Sequence, residues 1–260
     1  GLKDINDAVH QLFLHPNGGP FIGKQLIQRL VTSNPTPGYI SRVAAVFADN
    51  GQGERGDMGA VIKAILMDPE ARTCSALEED RFGKLREPFT RYTHFSKAIQ
   101  MEQYYGRYWN VAYGFYQATN QMPLASRTVF NFFLPDFQPI GAIADNGLVG
   151  PEFQIHNSRT SIEFINRVND WAVWGYVMDD WEAENPSVTY NIDELTPLAR
   201  DPEVLINRLD VLFTHGMLSD RTRQIIKDAI TPMISEDYRN DRTRLAMYLI
   251  MISPDYAIMK

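Results

Sequence analysis

The densest run of groups able to do chemistry is Gly83-Lys84-Leu85-Arg86-Glu87-Pro88, followed by Arg91. Lys84, Glu87 and Arg91 fall at i, i+3 and i+7, roughly one face of a helix. Cations around one carboxyl group could bind an anion or position a carboxylic acid. The competing reading is a structural ion-pair network that ties this helix to a neighbour. A catalytic site of this kind would gather Lys84, Arg86, Glu87 and Arg91 with Asn131 and Glu152, and would suit hydrolysis of a cell-surface polymer. A second candidate is the aromatic stretch from Tyr104 to Tyr116. There Tyr104, Tyr108, Trp109 and Tyr113 could stack on the C–H faces of sugar rings as a glycan-binding platform. Aromatic residues in a loop also pack beneath it as a satellite core, which is the plainer reading.

Other motifs carry less. Gly51-Gln52-Gly53-Glu54-Arg55-Gly56 is a literal G-x-G-x-x-G. The dinucleotide motif works by joining a strand to a helix under a pyrophosphate, and here a helix precedes it with no βαβ pattern around it. It reads as a connection between two helices. The same stretch fails as a calcium loop, because the ligand positions after Asp49 fall on Gly51 and Gly53. The histidines are His10, His15, His94, His156 and His215. None forms H-E-x-x-H and no two lie at i, i+4, so surface or capping roles are expected and no metal site is read. G-x-S-x-G, a P-loop and C-x-x-C are absent, and Cys74 is the only cysteine. Serine-hydrolase, NTPase and disulfide-redox functions therefore lose support, and no cofactor is expected.

The elements that must position these residues are helical. Pro20 opens an apolar-periodic run through Phe21, Ile22, Leu26, Ile27 and Leu30. After the turn-rich Ser33–Gly38 stretch, Ile40, Val43, Ala44 and Phe47 fall at i, i+3, i+4 and i+7. Asp57 can cap a third helix carrying Val61, Ile62, Ile65 and Leu66, which stops at Asp68-Pro69. A longer helix is expected from near Lys84, with Pro88 in its first turn. Val129–Phe133 reads as a short helix, Pro135–Pro151 as a long ordered loop, and Arg159–Trp181 as the longest helix. Trp171, Trp174 and Trp181 are at helical spacing and read as core or interface. The last sixty residues give three helices, starting at Pro202, after Ser219-Asp220 and near Asp241. No stretch alternates well enough for a sheet.

The fold class is thus all-α, a multi-helix orthogonal or bundle-like domain with long ordered loops. Leu26-Ile27-Gln28-Arg29-Leu30 recurs as Leu205-Ile206-Asn207-Arg208-Leu209, which suggests a duplicated three-helix unit. The expected organisation is a main domain over 1–178, an acidic linker over 179–203 and a C-terminal three-helix unit over 204–260. Between Asp179 and Glu203 there are eight acidic residues and one basic residue, Arg200, which matches the whole chain's net charge of −7. That segment could attract a cation or a basic partner, and reads more simply as solvated. No basic stripe serves nucleic-acid binding. No apolar run approaches the roughly 20 residues that span a bilayer.

The order of segments resembles a known family. His15-Pro16, Gly19-Pro20-Phe21-Ile22 and Gln25-Leu26 are followed by Arg42-Val43-Ala44, Phe47, Gly56-Asp57, Ala64-Ile65-Leu66 and Asp68-Pro69-Glu70. Gly83–Pro88, Val129–Phe133 with Pro135-Asp136, Gly147-Leu148-Val149 and Pro151-Glu152-Phe153-Gln154 complete the series. Together they resemble the C-terminal half of bacterial proteins of the domain of unknown function 1800 family. The resemblance implies a missing N-terminal half, an exported protein in the periplasm or outside the cell, and a partner from the exported 1501 unknown-function family. It supplies no catalytic residues. The expectation is therefore an accessory or scaffold module acting through protein or surface-polymer contacts, with a hydrolase or a glycan-binding module as the alternatives.

Overall fold

Helix starts in this chain are written by a repeated device. A Ser, Thr, Asp or Asn precedes the first turn and its side chain accepts an otherwise orphaned backbone N–H. Thr36, Asp57, Asp68, Asn157, Asp201, Ser219 and Ser253 all do so. The computed structural model describes residues 1–74, 79, 81–103, 113–126, 128–175, 188–233 and 235–260. Its helices are α1 (Leu2–Leu14), α2 (Gly18–Leu30), α3 (Pro37–Ala48), α4 (Met58–Met67), α5 (Pro69–Arg72), α6 (Pro88–Ala98) and α7 (Tyr113–Thr119). Then follow α8 (Ala142–Asp145), α9 (Ser158–Val168), α10 (Pro202–Thr214), α11 (Asp220–Ile230), α12 (Arg239–Met251) and α13 (Pro254–Ala257). The fold is all-α. Its strands are two-residue pieces, β1 (Lys84–Leu85), β2 (Glu102–Gln103), β3 (Val188–Thr189) and β4 (Ile258–Met259). β2 and β3 pair antiparallel, with Glu102 opposite Thr189 and Gln103 opposite Val188.

The chain divides into a smaller unit (1–84, 135–151 and 260) and a larger one (85–134 and 152–259). In the smaller unit α2, α3 and α4 pack around Ile27, Tyr39, Val43, Phe47, Val61 and Ile65. Gly19 and Gly23, one turn apart on α2, admit α3: a Cβ at Gly23 would lie 3.1 Å from Val43 Cγ1, and one at Gly19 3.1 Å from the Ala44 carbonyl oxygen. Tyr39 donates its hydroxyl to the Ile65 carbonyl at 2.6 Å, which ties α3 to α4 inside the core. Arg42 grips both oxygens of Asp68 at 2.7 Å. α1 behaves differently and has no buried residue.

In the larger unit α10, α11 and α12 pack on one another and on α6, α9 and the turns around them. Trp171 sits among the aromatic rings, stacked on Phe95 (6.1 Å) and Phe115 (6.2 Å) and edge-on to Phe164. The two pentapeptides occupy matching places. Ile27 and Ile206 are both fully buried, and each lies on the first of three mutually packed helices followed by a short proline-initiated one.

Several expectations need correction. The helix expected from Lys84 begins at Pro88, because proline keeps the residue before it out of the helical region and Glu87 is extended at φ −58°, ψ 148°. Lys84 therefore lies on β1 and shares no helix face with Glu87 and Arg91. Val129–Phe133 is a turn and not a helix; Asn131 adopts φ +71° and bridges back to Thr128. The 135–151 loop carries α8. α9 ends at Val168 and passes into a π-turn over Asn169–Val173. Trp171 is core, whereas Trp174 is exposed, and Trp181 lies outside the described residues. Ile192, Leu195 and Ala199, in the segment read as solvated, are buried in the larger core while Asp193 and Glu194 face water. Apolar positions interleaved with the acids carry that segment inward.

Candidate functional site

Lys84 belongs to the smaller unit. Its ammonium group donates to the Gln28 and Arg29 carbonyls at 2.9 and 2.8 Å, which are orphan acceptors at the C-terminal end of α2. It is a helix-end cap built from a distant strand.

The rest of the motif lies in the larger unit. The Arg86 N–H donates to the Ala257 carbonyl at 2.7 Å, and its buried guanidinium lies 4.9 Å from the centre of the Tyr256 ring. Arg86 Nη1 is 3.3 Å from His94 Nδ1, and the Tyr256 hydroxyl is 3.4 Å from the same nitrogen. A guanidinium only donates, so His94 Nδ1 accepts and the imidazole is neutral. Burial, then Arg86, then His215 hold the His94 pKa down at about 4. The Tyr256 hydroxyl donates to the Arg91 carbonyl at 2.6 Å, and burial raises its pKa above the usual phenol range.

Glu87 is the residue before α6, but its own side chain caps nothing. Its carboxylate accepts the side-chain amide of buried Gln121, whose carbonyl in turn accepts the Phe89 N–H at 2.9 Å. Gln121 thus supplies the cap that Glu87 leaves unmade. Arg91 is buried, with Nε donating to the Arg86 carbonyl at 2.7 Å and its guanidinium 4.9 Å from the Phe164 ring centre. Desolvation lowers its pKa to about 10, and Nη2 has no hydrogen-bond partner among the described residues. Glu152 is fully buried in the 3-10 turn Pro151–Gln154. Asn131 closes its local turn by donating its N–H to the Thr128 carbonyl.

The structure therefore brings Arg86, Glu87 and Arg91 together and adds His94, Gln121 and Tyr256, which the sequence reading missed. His94 could have been found, since Glu87, Arg91 and His94 fall at i, i+4 and i+7. Gln121 and Tyr256 arrive from remote segments and left no such trace. One Ser–His contact also appears, with Ser161 Oγ 3.3 Å from His156 Nε2. It is not a nucleophile–base pair. The Ser161 hydroxyl donates its one proton to the Asn157 carbonyl at 2.8 Å, so His156 Nε2 must be the donor to Oγ. Burial and Arg91 hold the His156 pKa at about 4. Of the glycan candidates, Tyr104, Tyr108 and Trp109 lie outside the described residues, as does the side chain of Tyr113 on α7. Among the described residues no group of three or more His, Cys, Asp and Glu could hold a metal ion, and no helix is long and apolar enough to cross a membrane.

A family model described as "Protein of unknown function (DUF1800)" matches residues 1–258. The chain belongs to the DUF1800 family. Neither a curated protein nor a solved structure matches it. Membership in DUF1800 carries no activity with it, so the geometry of the motif is what bears on function.

Proposed function

We propose that this chain is a non-catalytic helical scaffold of an exported bacterial protein, acting through contacts with other macromolecules. What supports the reading is the use made of the charged motif. Arg86 is committed to Tyr256 and His94, Glu87 to Gln121, and Arg91 to a backbone carbonyl and the Phe164 ring. Groups held this way fix the start of α6 against α13 and the α7 end. A general acid needs a carboxyl group free to meet a substrate, and Glu87 is held by an internal amide.

The test is to incubate the purified chain with chromogenic phosphate esters, carboxylic esters and glycosides, beside Glu87→Gln and Glu152→Gln. No turnover above the blank is expected. Turnover that either substitution abolishes without lowering the melting temperature would replace the scaffold reading with an enzyme. An exported location and a partner from the 1501 family go with this proposal. Co-purification of such a protein from a periplasmic fraction supports the pairing, and its recovery from cytoplasm alone removes it.

A further inference from the structure

A cavity opens on the larger unit where three stretches of its chain meet at the end of α6. α6 stops because Gln100 takes a left-handed conformation, φ +49°, which lets the Met101 N–H reach the Ser96 carbonyl at 2.9 Å. The chain leaves in β2, and the pairing of β2 with β3 carries the turn over 191–195 alongside. The Asn191 side chain sets that turn by accepting the Asp193 N–H at 2.6 Å. α10 supplies the third wall, through Arg208 and Leu212.

The cavity holds about 200 Å³. Its apolar lining includes Ile99, Leu195 and Leu212, the first two buried in the core. Its polar lining is Gln100, Glu102, Asn191, Glu194 and Arg208, all of them exposed. Apolar walls with a few convergent polar groups are the ordinary build of a small-molecule site, and this volume lies below the roughly 300–1,000 Å³ of drug-sized ones. Two glutamates and one arginine leave the lining with a net charge of −1. The opposite charges do not cancel across the cavity. Among the described residues the side chains of Glu102, Glu194 and Arg208 make no hydrogen bond and no ion pair. Where α10 packs on α11 the charges behave otherwise, and Glu203 and Asp210 pair with Arg223 and Lys227 at 2.5 to 3.8 Å. The same helix thus satisfies its charges against a neighbour and leaves Arg208 open on the cavity.

We propose that this cavity binds a free dibasic amino acid, with its carboxylate on Arg208 and its two ammonium groups on Glu102 and Glu194. Charge selects the class. A dibasic amino acid carries two positive groups and one negative, the mirror of the lining. A neutral amino acid leaves one glutamate without a counter-charge, and a diamine leaves Arg208 without one. Each of the three contacts is a charge-assisted hydrogen bond, and the guanidinium fork matches a carboxylate bidentately. The aliphatic stem of such a ligand lies against Ile99 and Leu212, as lysine stems lie on apolar surface within proteins. Gln100 and Asn191 add side-chain amides to the rim. Glycine would fill the left-handed position 100 with less strain, and the glutamine there brings an amide to the cavity. The site goes beyond the scaffold reading, since it adds a small-molecule ligand and requires no reaction.

Titration of the whole chain with L-lysine at low salt, read by calorimetry and by amide NMR shifts, tests the site. Saturable binding with a dissociation constant of about 1 mM or tighter is expected, with shifts centred on 98–102, 191–195 and 208–212. Norleucine lacks the second ammonium group and cadaverine lacks the carboxylate, so each should bind about 10-fold or more weakly. A tripeptide ending in lysine has no ammonium group beside its carboxylate and should lose about as much, roughly 10-fold, which separates a free amino acid from a chain end. Arg208→Gln brings lysine down to the level of cadaverine, and Glu102→Gln with Glu194→Gln brings it down to norleucine. All three positions are exposed, so melting temperatures stay unchanged. If a variant does melt early, the ligand series on the unaltered chain decides alone. No saturation by about 10 mM lysine overturns the proposal. So does equal binding of norleucine, cadaverine or the tripeptide, or a lysine affinity that either variant leaves unchanged. Binding is the readout throughout, so these results and the turnover test of the scaffold reading fail separately.

Discussion

Two half-buried imidazoles should make this protein lose stability in mildly acidic solution, before its carboxylates protonate. His94 and His156 both have pKa values held at about 4, below the ordinary value of 6.5. For His94 the groups facing it are Arg86, His215 and Tyr256, and for His156 the charged neighbour is Arg91. The unfolded chain binds these two protons as pH falls through 6.5, whereas the folded chain resists until about 4. Stability is therefore complete above pH 6.5 and declines down to about pH 4, where the histidine contribution levels off. At 1.36 kcal/mol per pH unit the full shift is worth about 3 kcal/mol for each ring, and partial exposure reduces this to about half. A loss of about 3 kcal/mol is expected for the pair. The carboxylates with lowered pKa values, Asp49, Asp57 and Asp68, act in a separate window below their usual value of 3.8. Urea unfolding at half-unit steps from pH 7.5 to 4 reads the slope, and NMR titration of the imidazole protons assigns it. The double variant His94→Gln, His156→Gln should flatten the profile in that range. A wild-type profile already flat from 7 to 4, or an unchanged slope in the double variant, refutes the reasoning.

Three further outcomes follow from particular contacts. Gln121→Leu leaves the Phe89 N–H and the Glu87 carboxylate without their partner and should cost about 2 kcal/mol in chemical denaturation, more than the roughly 1 kcal/mol expected for Glu87→Gln. Arg55→Met takes the side-chain donor from the Phe13 carbonyl and one of two donors from the His15 carbonyl at the α1 C-terminus, so amide hydrogen exchange across 2–14 should quicken while α2 to α4 stay protected; unchanged protection of α1 means that Arg55 does not hold its end. Asp68→Asn weakens the fork to Arg42 but keeps an acceptor for the Glu70 N–H, so a loss of about 1 kcal/mol is expected and Asp68→Ala should cost more. Equal losses for the two Asp68 variants would show that the helix cap carries nothing.

What was legible in the sequence was local. The cap at Asp57, the helix starts at Pro202 and after Ser219, and the apolar spacing of Val43 and Phe47 act within one or two turns of chain, so residue order nearly determines them. The same is true of the motif series that places the chain in DUF1800. Where local signals competed, the reading failed. Helical periodicity through Lys84 and Leu85 ran against Pro88, and the backbone restriction imposed by proline won. Val129–Phe133 had an apolar run but needed a left-handed residue at Asn131, which a composition reading does not weigh.

Tertiary structure alone decided what the charged groups do. Arg86 could have faced a substrate; it faces Tyr256, 170 positions later, because α13 returns the chain to the start of α6. Gln121 meets Glu87 across 34 positions, and Lys84 finds its acceptors at the end of α2 more than 50 positions back. The acidic segment shows the same limit: its charges were countable from the sequence, but the burial of Ile192, Leu195 and Ala199 depends on which helices close over them. Hydrogen bonds and burial act in space, so spacing along the chain can name the groups that are able to react but not the partners that occupy them.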